Sequence, residues 1–229
     1  MNEFEKTYCE TDLKQDMINN TKEYYKILAE MFSYPEHHLT NRYEEFEDAM
    51  AFLLPEKKTE IKDLFLNHKA LSFKDQQEYY LKTFDVQAVC HLDIGYVLFG
   101  DDYKRAQLLV NLQAEHQKAG IDCGTELADH LPNILKLLVT TEDQDFANEL
   151  GFVVLIPAIQ FMILKFSNTE NHYKGLLEIL LELLKRDFKG EDLEEYVIPE
   201  QYFKGEQDFL IPSPKQTICD TLCNQRKKI

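Results

Sequence analysis

Two places in the 229-residue sequence gather side chains able to do chemistry or to grip a charged ligand. The first is Asp93, which helical spacing sets on an apolar face with Val86, Val89, Cys90 and Val97. An unpaired carboxylate in such surroundings is costly. Asp93 is therefore expected either to pair inside the protein, with Arg105 as candidate, or to stand at a groove wall and anchor a cationic ligand residue. The second is Glu126, Asp129 and His130, close together at a helix entrance. The plainer reading gives Asp129 the role of helix cap and lets His130 hydrogen-bond its neighbours. The functional reading is a recognition surface for Arg or Lys. As a catalytic set the trio lacks a nucleophile, which argues against a small hydrolase.

Other chemistry is quickly set aside. The sequence has no Gly-rich phosphate loop, no Gly-x-Ser-x-Gly elbow and no dinucleotide fingerprint. Cys219 and Cys223 are four apart, but no second Cys or His pair stands beside them to complete a zinc site. Free thiols are the expectation. His37 and His38 are adjacent and read as an exposed loop pair. The expectation is thus a protein that is not an enzyme and carries neither metal nor cofactor, with a metal or cofactor carrier using scattered Cys and His as the alternative.

Helices must position these groups. Apolar spacing predicts one from Thr21 to Phe32, ending before Tyr34-Pro35. A second carries Tyr43, Phe46, Met50 and Leu53 and stops at Pro55; a third carries Ile61, Leu64 and Phe65. Ser72 with Asp75 fits a start signature for a helix running towards Phe84. Asp85 is expected to cap the next helix, which Gly100 ends, and Asp101 or Asp102 opens another that closes at Gly120. Asp129 is the expected cap of the following one, with Pro132 in its first turn. Thr141 to Gln144 is a second capping pattern, opening a helix that is apolar nearly all round after Leu150 and interrupted by Pro157. Tyr173, Leu176, Leu177, Leu180, Leu181, Leu184 and Phe188 form the clearest stripe. No alternation suggests a strand. The fold class is all-α, a single-domain bundle of about eight helices. Residues 19–190 form the domain, 1–18 a flexible N-terminal segment and 191–229 a polar C-terminal tail.

Composition agrees. Apolar residues make up 44%, with 15 Phe and 12 Tyr for the core, while only 8 Gly and 7 Pro appear. Asp and Glu number 41 against 25 Lys and Arg, a formal charge of −16 that repels nucleic-acid phosphates and anionic lipid and attracts a basic peptide. Between Glu115 and Glu149 eight acids face only Lys118 and Lys136. The five cysteines are odd in number, and the first residues have no apolar h-region; both predict free thiols in a reducing cytosol. The apolar run Phe152 to Leu164, broken by Gln160, is expected to be a buried helix and too short to span a bilayer.

Several of these residues also carry a resemblance. Tyr80-Leu81-Lys82-Thr83-Phe84-Asp85, then Cys90-His91-Leu92, Tyr96-Val97-Leu98-Phe99-Gly100-Asp101 and Lys104-Arg105 resemble nitrate reductase molybdenum cofactor assembly chaperones of the NarJ type, within the TorD/DmsD class of redox-enzyme maturation proteins. The likeness continues through Ala119-Gly120 and Glu126 to Pro132, and more weakly over about Lys22 to Lys189. It implies an all-helical, cytoplasmic chaperone that binds the N-terminal segment of a molybdoenzyme catalytic subunit. Such a chaperone holds that subunit for insertion of the molybdenum cofactor, which the client carries. The family's Glu-x-x-Asp-His motif would be Glu126, Asp129 and His130. With them, Phe84, Asp85, Asp93, Tyr96, Phe99, Asp101 and Arg105 make up the expected client-peptide-binding set, in a monomer or weak dimer. The chain departs from the family at Val86-Gln87-Ala88, where basic residues are common, at Asp93, where an aromatic is common, and at Ala106, where Gly is usual. The first two changes make this segment more acidic.

Overall fold

A computed structural model describes residues 24–36, 42–166 and 171–189. The N-terminal segment, the C-terminal tail, Cys9, His37, His38, Cys219 and Cys223 lie outside the described residues. Among those described there are nine helices and no strand, so the fold is all-α. They are α1 (Tyr24–Met31), α2 (Arg42–Leu53), α3 (Lys58–Leu64), α4 (Phe73–Phe84), α5 (Ile94–Phe99), α6 (Tyr103–Lys118), α7 (Leu131–Thr140), α8 (Gln144–Lys165) and α9 (His172–Asp187). A 3-10 turn precedes α3 and a single helical turn, Leu66–Lys69, follows it.

The local signals act as their chemistry requires. Ser72 caps α4, its hydroxyl accepting from the Asp75 amide at 3.3 Å and donating to the Asp75 carboxylate at 2.6 Å. Gly100 and Gly120 sit at φ 59° and 67°, the left-handed region where a chain leaves a helix without Cβ strain. Asp102 caps α6 by accepting from the Lys104 amide at 2.9 Å, and Asn171 caps α9 through Tyr173.

One expected helix forms only in its second half. Asp85 closes α4 instead of opening α5, because the Asp85 and Val86 amides both turn back to the Leu81 carbonyl, at 2.9 and 2.8 Å. The Val89 amide then donates to Thr83, Gln87 takes φ 56°, and residues 86–93 run as turns and bends that end at the bridge residue Asp93. Val86 consequently stands exposed rather than on a helix face with Asp93. Asp93 is the residue that precedes α5.

The centre of the bundle is α8, flanked by α9 and α5, while α1 packs most closely on α7. Asp143 caps α8, accepting from the Phe146 amide at 2.9 Å. The irregularity expected near Pro157 takes the form of a wide π turn over Leu150–Leu155, with the Ile156 amide donating five residues back to Gly151. Proline lacks an amide hydrogen, so the chain leaves that ladder where a donor is missing anyway. The 22 residues of α8 are long and apolar enough to cross a bilayer, more than the run from Phe152 suggested, yet 67% of its most apolar stretch is buried in the bundle.

Gly151 lets α8 touch the end of α9. A Cβ there would lie 2.4 Å from Cγ of the Phe188 ring, which is 1% exposed. Gly151→Ala is expected to destabilise the fold by about 1–3 kcal/mol, read as a lower urea midpoint with an unchanged slope.

A second internal feature has no counterpart in the sequence reading. The rings of His68 and His172 lie 3.9 Å apart, His172 stacks on Tyr79 at 4.8 Å, and Tyr43 meets His68 edge-on at 5.6 Å. His68 is 3% exposed and neither ring nitrogen has a hydrogen-bond partner among the described residues. Burial pushes its pKa down to about 4 and that of His172 well below the usual value.

Candidate functional site

The site is assembled where the entrances of α5 and α7 meet the first turns of α6. Backbone does the first part. The Ile94 amide donates to Asp129 O and the Leu131 amide to Leu92 O, both at 2.9 Å, making an isolated antiparallel bridge between Asp93 and His130. These two bonds fix the chain on either side of Asp93 and of His130, and Asp129 is held through its own carbonyl, so neither carboxylate depends on helix geometry alone.

Arg105 from α6 then joins the two. Its Nε donates to Asp129 Oδ2 at 3.1 Å and its Nη2 to Asp93 Oδ2 at 3.2 Å. The expected pairing of Asp93 with Arg105 is therefore present, and Asp129 shares the same guanidinium. The guanidinium carbon also sits 5.3 Å from the centre of the Tyr96 ring, within cation–π range. Tyr96 is in turn held edge-on by His91 at 4.9 Å.

Asp129 is fully buried. It is not the cap of α7, as the sequence suggested: the residue at that position is His130, which makes no capping side-chain bond, and Pro132 follows in the first turn. The Asp129 carboxylate faces the other way because Arg105 holds it. Desolvation by burial raises its pKa, and the Arg105 hydrogen bond and charge oppose that shift. Its second oxygen, Oδ1, is buried with no hydrogen-bond partner among the described residues. Gly95 makes room for this arrangement, since a Cβ there would come within 2.7 Å of Asp129 Oδ2 and 3.1 Å of Arg105 Cγ. Sequence reasoning missed Gly95, whose only signal was a glycine inside a short helix.

His130 and Glu126 complete the acidic side. His130 Nδ1 lies 3.8 Å from Glu126 Oε2, with the Glu126 side chain 58% exposed. Burial lowers the His130 pKa against the pull of Glu126, Asp93 and Asp129. With His130 neutral, three carboxylates (Asp93, Glu126, Asp129) stand against one guanidinium. That leaves a local surplus of negative charge.

The remaining expected residues lie around this cluster to different degrees. Asp85 and Asp101 are exposed, at the end of α4 and in the turn between α5 and α6. Phe99 is half-buried against the core. Phe84 is buried beneath the surface, meeting Tyr173 and Tyr80 edge-on at 4.6 and 5.1 Å. Tyr80 still feels the acids above it, since Glu126, Asp85 and Asp93 all add to the burial that holds its phenol protonated. Of the eight acids counted from Glu115 to Glu149, Glu115 is buried and paired with Lys118 at 2.9 Å, so it adds nothing to an acidic rim. Leu127, 49% exposed, places an apolar side chain beside Glu126.

Among curated proteins, the chain is 24% identical over 178 residues to "Nitrate reductase molybdenum cofactor assembly chaperone NarJ" of Escherichia coli (strain K12), covering 76% of this chain and 75% of that protein. The protein of the same name from Escherichia coli O157:H7 matches equally. These similarities agree with the resemblance carried by the motifs. No family model matches the sequence.

Proposed function

We propose that this chain is a cytoplasmic, non-enzymatic chaperone that binds the N-terminal segment of a molybdoenzyme catalytic subunit. It holds that subunit for cofactor insertion and assembly, and the client is a respiratory nitrate reductase or a relative of one. The observation that carries this reading is the charge surplus around Arg105, which reaches the surface at Glu126. A leader segment that combines a basic residue with an apolar helical stretch matches it on both counts. Its cation would meet Glu126 at the exposed edge, and its apolar face would cover Leu127, Tyr96 and Phe99. The acids steer the encounter, while apolar burial at roughly 25 cal/mol per Å² supplies most of the affinity.

Isothermal titration calorimetry with a synthetic peptide from the N-terminus of the molybdoenzyme subunit encoded nearby tests the reading. One-to-one binding is expected, weakening as salt rises, because exposed charges are screened beyond about 10 Å at 0.1 M salt. Glu126→Gln is expected to weaken binding severalfold while leaving the melting temperature unchanged, its side chain being 58% exposed. No heat with any such peptide, or binding indifferent to both salt and Glu126, would overturn it.

Of the five cysteines, Cys90 and Cys123 are among the described residues, and the carrier alternative would draw on both. Burial and the neighbouring Asp122 raise the Cys123 thiol above its usual value. Burial pushes the Cys90 thiol up to about 12, so it stays protonated at neutral pH instead of offering the thiolate a metal takes. Metal analysis of untagged protein separates the two readings.

A further inference from the structure

The outward face of α6 differs from the rest of this acidic surface. On a helix turning about 100° per residue, Tyr103, Ala106, Val110, Gln113, Ala114 and Gln117 fall within an arc of roughly 100°. None is charged, in a chain with 41 acids and a formal charge of −16. Tyr103 and Val110 are 74% and 67% exposed, and the other four are exposed with them. Single exposed apolar side chains are ordinary. An uncharged stripe running the length of a 16-residue helix is a different matter.

The stripe is also its own complement. Ala106 and Ala114 lie four residues either side of Val110 and Tyr103 and Gln117 seven, while Gln113 is answered three residues before Val110 by the half-buried Gln107 at the edge of the stripe. Two copies of α6 laid antiparallel, with a two-fold axis at Val110, set alanine near alanine and glutamine near glutamine. Ala106 and Ala114, eight residues apart with Val110 midway, keep the helix surface low on either side of the axis, which suits an approach of about 8–10 Å in the crossing class near −50°. The antiparallel order also brings the acidic start of α6, at Asp101 and Asp102, towards the end that carries Lys118, and it opposes the two helix dipoles. Elsewhere two such copies repel, and a basic leader would find no carboxylate on this face. We infer that the outward face of α6 is the isologous interface of a weak homodimer of this chain. One helix pair buries less than the roughly 1,200 Å² of a standard interface, so a dissociation constant on the order of tens of micromolar is expected. This inference is independent of the chaperone reading.

Sedimentation equilibrium of the full chain, from about 5 to 500 µM, reads the association by mass action. The wild type is expected to move from monomer to dimer across that range. Val110→Glu places two carboxylates against each other on the axis, and is expected to raise the dissociation constant at least about thirtyfold while leaving the melting curve unchanged. Val110→Cys under mild oxidation is expected to give a covalent dimer, and Leu127→Cys, on another surface, is not. A wild type that stays monomeric throughout overturns the inference. So does a dimer untouched by Val110→Glu, which puts the contact elsewhere. A Val110→Glu chain of unchanged mass that binds the leader peptide less tightly would assign the face to a different partner and overturn it too.

Discussion

Replacing Arg105 with alanine is expected to lower the melting temperature by about 10 °C, the largest effect of any single change at the site, because it strands a buried carboxylate. Asp129 is fully buried, and the Arg105 guanidinium is the cation that bonds it. Truncating one partner of such a pair costs about 3–5 kcal/mol, most of it the penalty on the charge left behind. The carboxylate can relieve part of this by taking a proton, so the deficit should shrink as pH falls towards 5. Asp93→Asn is expected to do much less, since the Asp93 side chain is 34% exposed and water replaces the lost bond. Asp129→Ala with His130→Ala would not leave stability intact, because it removes one of the two carboxylates on Arg105, whose side chain is only 17% exposed. Thermal melts of Arg105→Ala and Asp93→Asn at pH 7 and pH 5 make the comparison. Equal, small losses for both would mean that the triad does not hold the α5, α6 and α7 entrances together.

Acidification from neutral pH is expected to unfold the protein well before its carboxylates titrate, through the His68 and His172 pair. Both rings are neutral in the folded bundle and protonate freely once exposed. Burial takes the His68 pKa from 6.5 to about 4 and the His172 value lower still. The unfolded chain therefore binds more protons between these values, and stability rises with pH. It is complete above about pH 6.5 and falls by up to about 1.4 kcal/mol per pH unit for each histidine until the folded pKa is reached. His130, also lowered by burial, adds in the same sense. Asp129 acts oppositely, since its pKa is raised from 3.8 and ionising it in the fold costs stability as pH rises from there to its folded value. Three histidines against this one carboxylate set the sign of the net slope. Urea denaturation at pH 7.5, 6.5 and 5.5 should show a steep decline for the wild type and a shallower one for His68→Phe, which keeps a ring among Tyr43, Tyr79 and His172. Identical slopes would sink the assignment.

What the sequence disclosed was mostly what acts over three or four residues. Ser72 with Asp75, Asp102 before α6, Gly100 and Gly120 after their helices, and the stripe of α9 depend on neighbours in the chain. Each was readable for that reason. The pairing of Asp93 with Arg105 was also within reach, because a carboxylate amid apolar neighbours must find a cation. Hidden from that reading was the second claimant, Asp129, whose bond to Arg105 spans 24 residues and overrides the capping role its position suggested. The loop from Asp85 to Asp93 defeated periodicity because Cys90 and Leu92 cover the bundle from a run of turns and bends, not from a helix, while Val86 points out. His68 and His172 come from separate elements and carry no local signature at all. Glu115 was counted with the surface acids because charge alone does not reveal burial.

The wide turn at Leu150–Leu155 has one further consequence. A stretch whose hydrogen bonds reach back five residues holds one residue more per loop of chain than its neighbours. The sequence register after the turn is thereby shifted by about 100° against that before it, while both stretches keep facing α9: Gly151 meets the ring of Phe188 at its end, and the later half packs on α9 and on α5. Six residues of such a turn sweep about the same angle as five of ordinary helix, so excising a single residue there would restore a uniform spiral with both halves still aimed at their neighbours, whereas a further insertion would swing one half away.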